Sequence, residues 1–397
     1  MTCKQPRTLK AGIVGTGFMA AAHIEALRRL GYVTVGGIAG SSPEKSERAA
    51  RRFHLPAVYS TVEELLSDPT IEVVHNCTPN HLHYEINEAI IKAGKHILSE
   101  KPLTLTYTES ARLVKLAKHH QVVHGVNFNY RQYPLVQHLR TMVAGQELGP
   151  VHFVHGHYLQ DWLLYQHDYS WRLDSKAGGP LRTIGDIGSH WMDLIQHITG
   201  QRITAVMADV TIVHPTRLRS LTNLETFSRG QKSERNETPI DTEDFAMIWL
   251  EFERGLKGSL NVSQVSAGRK NALSFEMNGR KASAAWNQEE PDHMWIGYRD
   301  EPNRTLLRDP SLVHEEARSF TAYPGGHGEA WGDGLKNMMH SFYQAVLAHE
   351  EGKAWGGTFA TFDDGHDVMC ILDAISKSIE SKSWTAVNNP LREPFVL

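Results

Sequence analysis

Gly15-Thr16-Gly17-Phe18-Met19-Ala20 follows a short apolar run and opens an amphipathic stretch. Strand, glycine turn and helix in that order can cradle a pyrophosphate, because the helix N-terminus presents amide donors and the positive end of its dipole. Gly15 would permit the tight turn, Gly17 a close approach of backbone to phosphate, and Ala20 close helix packing, with Phe18 and Met19 in the same turn. A glycine turn before a helix can be purely structural, but the flanking elements weigh toward a nucleotide. Further along, Glu100-Lys101-Pro102 closes another apolar run and places an ammonium group where a nicotinamide ring is expected. Together the two features imply transfer of hydride to or from a small hydroxylated molecule.

The elements that must position these groups alternate. Strands are expected at Leu9–Val14, Val33–Ala39, Glu72–Cys77, His96–Ser99 and Val122–Val126, with helices near Ala20–Leu30, Pro43–Phe53, Val62–Leu66, His81–Ala93 and Thr106–His119. That rhythm predicts a doubly wound parallel sheet with its ligand at the carboxyl ends of the strands. After Asn127 the pattern changes to longer alternating strands: Val151–Tyr158, Ile203–Val213, Phe245–Phe252 and Leu256–Val265. Ala272–Met277 and Ala282–Trp286 flank Asn278-Gly279, read as a two-residue hairpin turn. Helices are expected at Leu135–Ala144, Ile187–Thr199, Leu335–Ala348 and Asp364–Ser381, and Thr216–Glu243 reads as a mobile loop or insertion. The fold class is α/β: a Rossmann domain over residues 1–127, then an α+β domain over 128–397 with a large, open, mostly antiparallel sheet.

At the tip of the second strand the chain reads Ile38-Ala39-Gly40-Ser41-Ser42-Pro43-Glu44-Lys45, without the acid that binds a ribose 2′-hydroxyl in many NAD enzymes. Ser41 and Ser42 could accept a ribose hydroxyl or a 2′-phosphate, with Lys45 assisting the latter. The cofactor is therefore NAD or NADP, with NAD favoured. Ser42 also suits the cap of a helix begun by Pro43. Thr78 and Asn80 follow a strand and are expected beside the nicotinamide end, where Asn80 either bonds a ribose hydroxyl or caps the next helix.

Composition narrows the class. The 397 residues carry a net charge of −4 with 22% charged and 41% hydrophobic residues, so neither a nucleic-acid partner nor a membrane surface is indicated. No run approaches the roughly 18 apolar residues of a membrane span. Lys4, Arg7 and Lys10 precede no apolar run, so no signal peptide is expected. Three distant cysteines, Cys3, Cys77 and Cys370, form no disulfide framework and suit a reducing cytoplasm. The 23 histidines, His155, His157 and His167 among them, show no metal-ligand spacing, and no metal is expected.

Gly15–Ala20, Cys77-Thr78-Pro79-Asn80-His81 and Glu100-Lys101-Pro102 occur in the order and spacing of the Gfo/Idh/MocA family (glucose–fructose oxidoreductase, inositol dehydrogenase, rhizopine catabolism). The chain resembles that family over nearly its whole length, and Glu-Lys-Pro is the most specific sign. A second family motif, an Asp and a His four residues apart, is matched by Asp186-Ile187-Gly188-Ser189-His190. The resemblance implies an open sheet that mediates dimers or tetramers, and it carries Lys101, Asp186 and His190 over as the acid–base set. Taken alone, Lys101 would read as a surface lysine and Asp186 as a helix cap. The chemistry agrees with the family role: alcohol oxidation needs a base for the hydroxyl proton while hydride leaves the same carbon. Lysine can steady the developing alkoxide, and Asp186 and His190, at i and i+4, would share one helix face.

His83, Glu100 and Lys101 complete the expected cofactor-binding set. Tyr130 and Arg131 are expected to face the substrate, as are Asp161, Trp162 and Arg172. Trp162 and Trp171 would either stack on a sugar or belong to the core. His327, in Gly325-Gly326-His327-Gly328, would close over the site or sit in a flexible loop. The expected activity is oxidation of a secondary hydroxyl of a sugar, glycoside or cyclic polyol. The alternatives are a redox-assisted glycosidase or lyase and a non-catalytic nucleotide sensor.

Overall fold

The computed structural model describes residues 7–220 and 235–392. Cys3, Lys4 and the middle of the 216–243 segment lie outside the described residues. The chain divides into two compact units. The first is the chain through Asn129 together with Leu335–His366; the second is Tyr130–Gly334 together with the chain from Asp367 onward. Leu335–His366 thus groups with the first unit, whereas the sequence reading kept everything beyond residue 127 together.

The first unit runs β1 (Leu9–Val14), α1 (Phe18–Arg28), β2 (Val33–Ala39), α2 (Pro43–Phe53), β3 (Ala57–Tyr59), α3 (Val62–Ser67), β4 (Val73–Asn76), α4 (His83–Lys92), β5 (His96–Ser99), α5 (Tyr107–His120) and β6 (His124–Val126). Its six strands are all parallel in the order β3-β2-β1-β4-β5-β6. Leu9, Ala11, Ile13, Val73, Val74, Ile97 and Leu98 are wholly buried, as expected where helices cover both faces. The order reverses between β1 and β4, the place where open α/β sheets bind ligands at the strand ends. Local chemistry sets the helix starts. Ser42 Oγ accepts from Lys45 N at 3.3 Å with Pro43 at the first helical position, and Thr106 with Glu109 forms a capping box on α5. The edge strand β3 was not foreseen.

The second unit contains α6 (Pro134–Ala144), β7 (Val151–Leu159), α7 (Ser175–Gly178), α8 (Ser189–Thr199), β8 (Ile203–Thr211), β9 (Thr216–Ser220), β10 (Arg235–Pro239), β11 (Phe245–Phe252), β12 (Lys257–Ser263), β13 (Ala272–Gly279), β14 (Ser283–Asn287), β15 (His293–Gly297), β16 (Arg304–Leu307) and α9 (Glu315–Arg318). The chain ends with α10 (Trp331–Glu350), α11 (Phe362–Ser381) and β17 (Thr385–Ala386). The large sheet has nine strands in the order β16-β15-β14-β13-β7-β12-β11-β8-β17, and only the β7–β12 pair is parallel. Register lines up one row across it, buried except for half-buried Gly156: Ala208, Ile248, Leu260, Gly156, Phe275, Trp286, Met294. The adjacent row faces outward and ends in exposed apolar residues, Met207 and Trp249 at one side and Trp295 at the other. This is the period-2 pattern of a sheet packed on one face.

Two expectations change. Thr216–Glu243 is not simply loop: β9 and β10 pair as an antiparallel ribbon from Thr216↔Pro239 to Ser220↔Arg235. The polar composition hid it, since neither strand has a wholly apolar side. The β13–β14 hairpin also does not turn at Asn278-Gly279. Asn278 pairs with Ser283, Gly279 N donates to Ala282 O at 3.0 Å, and Gly279 itself continues the ladder opposite Val151. A glycine stands there because a Cβ would overlap the Leu148 carbonyl oxygen, not because the turn needs positive φ.

Gly156 plays the same part at the centre of the sheet. The Trp191 indole of α8 lies over it and donates to the Ser274 carbonyl at 2.9 Å. A Cβ on residue 156 would overlap that carbonyl and come within 2.7 Å of the indole nitrogen. Gly156→Ala should therefore destabilise the protein by about 1–3 kcal/mol. A urea midpoint equal to that of the parent would show that Trp191 moves aside freely.

Candidate active site

The glycine turn sits at the β1–β4 reversal. Gly15 has φ of +107°, and a Cβ there would lie 2.5 Å from the Cys77 carbonyl oxygen at the end of β4. Its N–H donates to Ala39 O at 2.8 Å, tying β1 to the tip of β2. Gly17 is the N-cap of α1, and no side chain caps that helix. A Cβ on Gly17 would meet no protein atom within 4 Å, so protein packing does not explain the glycine. A pyrophosphate approaching the first turn of α1 does, and the turn fits a dinucleotide. Phe18 is exposed, Met19 half-buried and Ala20 wholly buried against the sheet.

Ser41 and Lys45 are exposed and joined, Lys45 Nζ donating to Ser41 Oγ at 3.0 Å, with Ser42 half-buried beside them. Ser46, which the sequence reading passed over, fixes this loop: its hydroxyl accepts from Gly40 N at 2.7 Å and donates to Ser42 O at 3.1 Å. Thr78 donates through Oγ1 (2.7 Å) and N (3.2 Å) to Asn76 Oδ1. Asn80 opens a 3-10 turn whose N-cap position is Pro79, so it is not the cap of α4.

His83 is corrected. Its ring is wholly buried, with Nδ1 2.7 Å from Pro102 O and Nε2 2.9 Å from Thr78 O. It ties the Thr78 loop to the Lys101–Pro102 loop and offers nothing to a ligand. Burial lowers its pKa, partly offset by those two carbonyls.

Glu100 is buried too. Its Oε1 accepts from His23 Nε2 at 2.9 Å and Asn127 Nδ2 at 2.7 Å, and its Oε2 accepts from Lys101 N at 3.3 Å. Burial pushes the carboxyl up, but the His23 bond and charge, the Lys101 charge and the Asn127 amide outweigh it and hold the pKa at about 2. Lys101 is partly exposed, and a cis peptide joins it to Pro102.

In the second unit, Ile184–Gly188 forms a π-turn leading into α8, an irregularity often found where function demands a local shift. Asp186 Oδ2 accepts from Gln264 Nε2 at 2.9 Å, and Oδ1 lies 3.4 Å from Arg172 Nε. The structure thus brings together two residues singled out separately in the sequence, and adds Gln264. Arg172 also lies over the Trp171 ring at 4.6 Å.

His190 stands edge-on to the Tyr130 ring at 5.0 Å. The Tyr130 hydroxyl lies 2.7 Å from that of Tyr158, and Asn271 bonds both, at 3.0 and 2.6 Å. Tyr130 is 3% exposed, so it supports His190 instead of facing solvent. Burial raises its pKa against the pull of Tyr158 and Asn271.

Arg131 is corrected as well. It is buried, and its guanidinium grips Asp193 of α8 through two bonds of 2.8 and 2.5 Å. That bidentate pairing makes it a structural clamp.

Asp161 Oδ2 accepts from Lys270 Nζ at 2.6 Å and Gly268 N at 3.1 Å. Trp162 donates to Gln160 Oε1 at 2.8 Å and packs half-buried on Leu163, Leu173 and Ile240. His327 is exposed, but its turn is pinned: buried Arg308 donates to the His327 and Tyr323 carbonyls and pairs with Glu329 and Asp292. Among the described residues, no group of three His, Cys, Asp or Glu is arranged for a metal, and no helix is long and apolar enough to cross a membrane.

Comparison with known proteins agrees with this architecture. Residues 9–128 match the model of an oxidoreductase family with an NAD-binding Rossmann fold, and residues 136–285 match the GFO/IDH/MocA C-terminal domain. Levoglucosan dehydrogenase of Pseudarthrobacter phenanthrenivorans is 31% identical over 395 residues, 96% of this chain and 98% of that protein. The NADP-dependent scyllo-inositol 2-dehydrogenase of Bacillus subtilis is 31% identical over 51% of this chain and 55% of its own length. A solved levoglucosan dehydrogenase in complex with NADH and levoglucosan superposes with a TM-score of 0.85 at 30% identity, over 96% of this chain and all of that one. The chain accordingly belongs to the GFO/IDH/MocA family and is an NAD-binding oxidoreductase.

Proposed function

We propose that the protein oxidises a secondary hydroxyl of a sugar, glycoside or cyclic polyol. The observation that carries this reading is Lys101, following the carboxyl end of β5 and bonded through its backbone to a buried, ionised Glu100. Whole-length similarity to a levoglucosan dehydrogenase supports the substrate class. NAD, when bound, supplies the acceptor for the hydride.

The backbone of Gly15, Gly17, Phe18 and Met19 holds the pyrophosphate at the start of α1. Ser41, Ser42 and Lys45 serve the adenosine ribose, and Thr78 and Asn80 the nicotinamide ribose. Lys101 and His190 divide the proton traffic: one takes the hydroxyl proton while the other steadies the oxygen as negative charge develops. Asp186, oriented by Gln264 and Arg172, directs His190 or receives a neighbouring hydroxyl. Asp161, Trp162, Arg172 and His327 contact the remainder of the substrate. His83, Tyr130 and Arg131 act through the residues they hold.

The outward row of the nine-stranded sheet supports a homo-oligomer. Met207 and Trp249 are cross-strand partners, Met247 lies on the same face two residues along β11, and all three are exposed. A second copy of the same face would remove this apolar surface from water. The buried thiols Cys77 and Cys370 suit a reducing compartment such as the cytoplasm.

Lys101→Ala should lower turnover by about 10²–10⁴-fold while leaving the NADH dissociation constant, read by nicotinamide fluorescence, within a factor of two or so. Unchanged turnover would remove Lys101 from the chemistry. Incubation with NAD⁺ and a panel of anhydrosugars, glycosides, inositols and aldoses should reduce nicotinamide with one of these classes. Silence across the panel, with NADH binding retained, would sink the carbohydrate reading. Trp249→Arg should yield a smaller species by light scattering, and a mass equal to the parent's would place the interface elsewhere.

A further inference from the structure

A directed row of hydrogen bonds runs beside His190 in the second unit, and its proton order is fixed from one end. An indole N–H only donates, so Gln160 accepts from Trp162 through Oε1 at 2.8 Å. Its amide nitrogen must then point to Asn271 Oδ1, 3.1 Å away. Asn271 presents Nδ2 to the Tyr130 hydroxyl at 3.0 Å, while its Oδ1 also takes the Tyr158 hydroxyl proton at 2.6 Å. With the Tyr158 proton so placed, the 2.7 Å contact between the two phenols is a donation from Tyr130 to Tyr158. The Tyr130 oxygen has one more donor, the indole N–H of Trp331 at the start of α10. No member of the row is charged. It carries the two rings that His190 lies against, Tyr130 edge-on at 5.0 Å and Tyr158 tilted at 6.4 Å.

The row begins and ends in indoles. Trp162 and Trp331 are both half-buried, and the single polar atom of each is bonded inward, so the surface that either shows to solvent is apolar ring. Trp162 also packs on Leu163, Leu173 and Ile240. Trp331 follows the turn at 323–329, which is largely exposed yet held by buried Arg308 through the Tyr323 and His327 carbonyls, Glu329 and Asp292. Glu329 N donates to Asp292 Oδ2 at 3.2 Å, and Ala330 N to Asp333 Oδ2 at 2.9 Å. Burying an arginine with carboxylates contributes little net stability, since desolvation offsets the attraction. Its effect here is to fix the backbone that leads into Trp331, while Tyr130 fixes the indole.

We propose that Trp331 is a specificity-determining residue whose indole receives the C–H face of a saturated six-membered ring, leaving the hydroxyls of that ring to Asp186 and His190. A pyranose or a cyclohexane polyol holds a rigid patch of C–H groups between its hydroxyls. An open-chain polyol has no such face to present without first ordering its chain, which costs entropy. Aromatic walls with a few placed polar groups suit small ligands of this kind. This role rests on the reading of the protein as an oxidoreductase of ring hydroxyls, and binding is measured apart from turnover so that either can fail alone.

Calorimetry on the protein saturated with NADH reads binding without turnover. Methyl β-D-glucopyranoside and myo-inositol supply the ring, and D-glucitol supplies similar hydroxyls on an open chain. At least one ring compound should bind about tenfold or more tightly than D-glucitol, and no preference for either overturns the inference. Trp331→Leu should weaken ring binding by about tenfold and leave D-glucitol within a factor of two or so. Trp331→Phe keeps an aromatic face, loses only the N–H bond to Tyr130, and should stay near the parent. No loss in Trp331→Leu overturns the inference, and so do equal losses in both variants, because the hydrogen bond and not the face would then be what matters. Should Trp331→Leu fail to fold, the parent is labelled with fluorotryptophan and its Trp331 ¹⁹F signal identified with Trp331→Phe. That signal should move when the ring compound saturates the protein, and a signal that stays put overturns the inference equally. Ring binding that depends on Trp331 without any reduction of NAD⁺ upholds the role of Trp331 and sinks the oxidation reading.

Discussion

A carboxylate can stay charged out of water only if donors surround it, and Glu100 draws its donors from several parts of the first unit. His23 comes from α1, Asn127 from just past β6, and the Lys101 amide from the next residue. To bring them to one point, β5 must lie between β4 and β6, and α1 must carry His23 to the same carboxylate. The glycine turn answers to the same placement, because Gly15 touches the end of β4 where Cys77 also faces His23. Nucleotide cradle and lysine are thus consequences of one packing arrangement.

The second unit meets a similar demand by pairing buried charges. Arg182 and Arg217 both reach Asp244 and are wholly buried, while Glu243 accepts the backbone N–H groups of Arg182 and Ile184 at the start of the π-turn. Burial raises the Glu243 pKa, and those backbone donors pull it back. Isolated ion pairs of this kind contribute little net stability, since desolvation offsets their attraction. Their effect here is geometric. Arg217 belongs to β9 and also donates to the Tyr165 and Asp168 carbonyls, so the ribbon, the 165–168 turn and the helix carrying Asp186 are held in one register.

What the sequence made legible was mostly local. Five of the six strands of the parallel sheet, the Ser42 cap and the glycine turn are each written within a few residues, and they appear where periodicity and capping chemistry put them. Asp186 and His190 came from a motif, and the structure adds why they are held: Gln264 for one, the Tyr130–Tyr158–Asn271 cluster for the other. Reasoning from residue type faltered where a partner far along the chain claims the group. Arg131 looked like a substrate ligand until Asp193 took it, and His83 until two carbonyls did. Gly279 carried a turn signature but answers to the Leu148 carbonyl. His23 gave no signal, because a histidine in an apolar segment looks alike whether or not it touches a partner.

The return of Leu335–His366 to the first unit has a bearing on how the chain is made. Phe342 and Phe359 pack within 3.1 and 3.3 Å of the site where Gly125 would carry a Cβ, and Val126 N donates to Ala360 O at 2.8 Å. Domains commonly fold in the order in which they leave the ribosome. Here that order cannot hold in full, because β6 lacks its cover when Asn129 emerges and waits through synthesis of nearly all of the second unit. The parallel sheet must persist meanwhile as an unfinished layer with an apolar edge exposed, and a stop codon anywhere between Asn129 and Ala360 would leave it for the quality-control machinery of the cell.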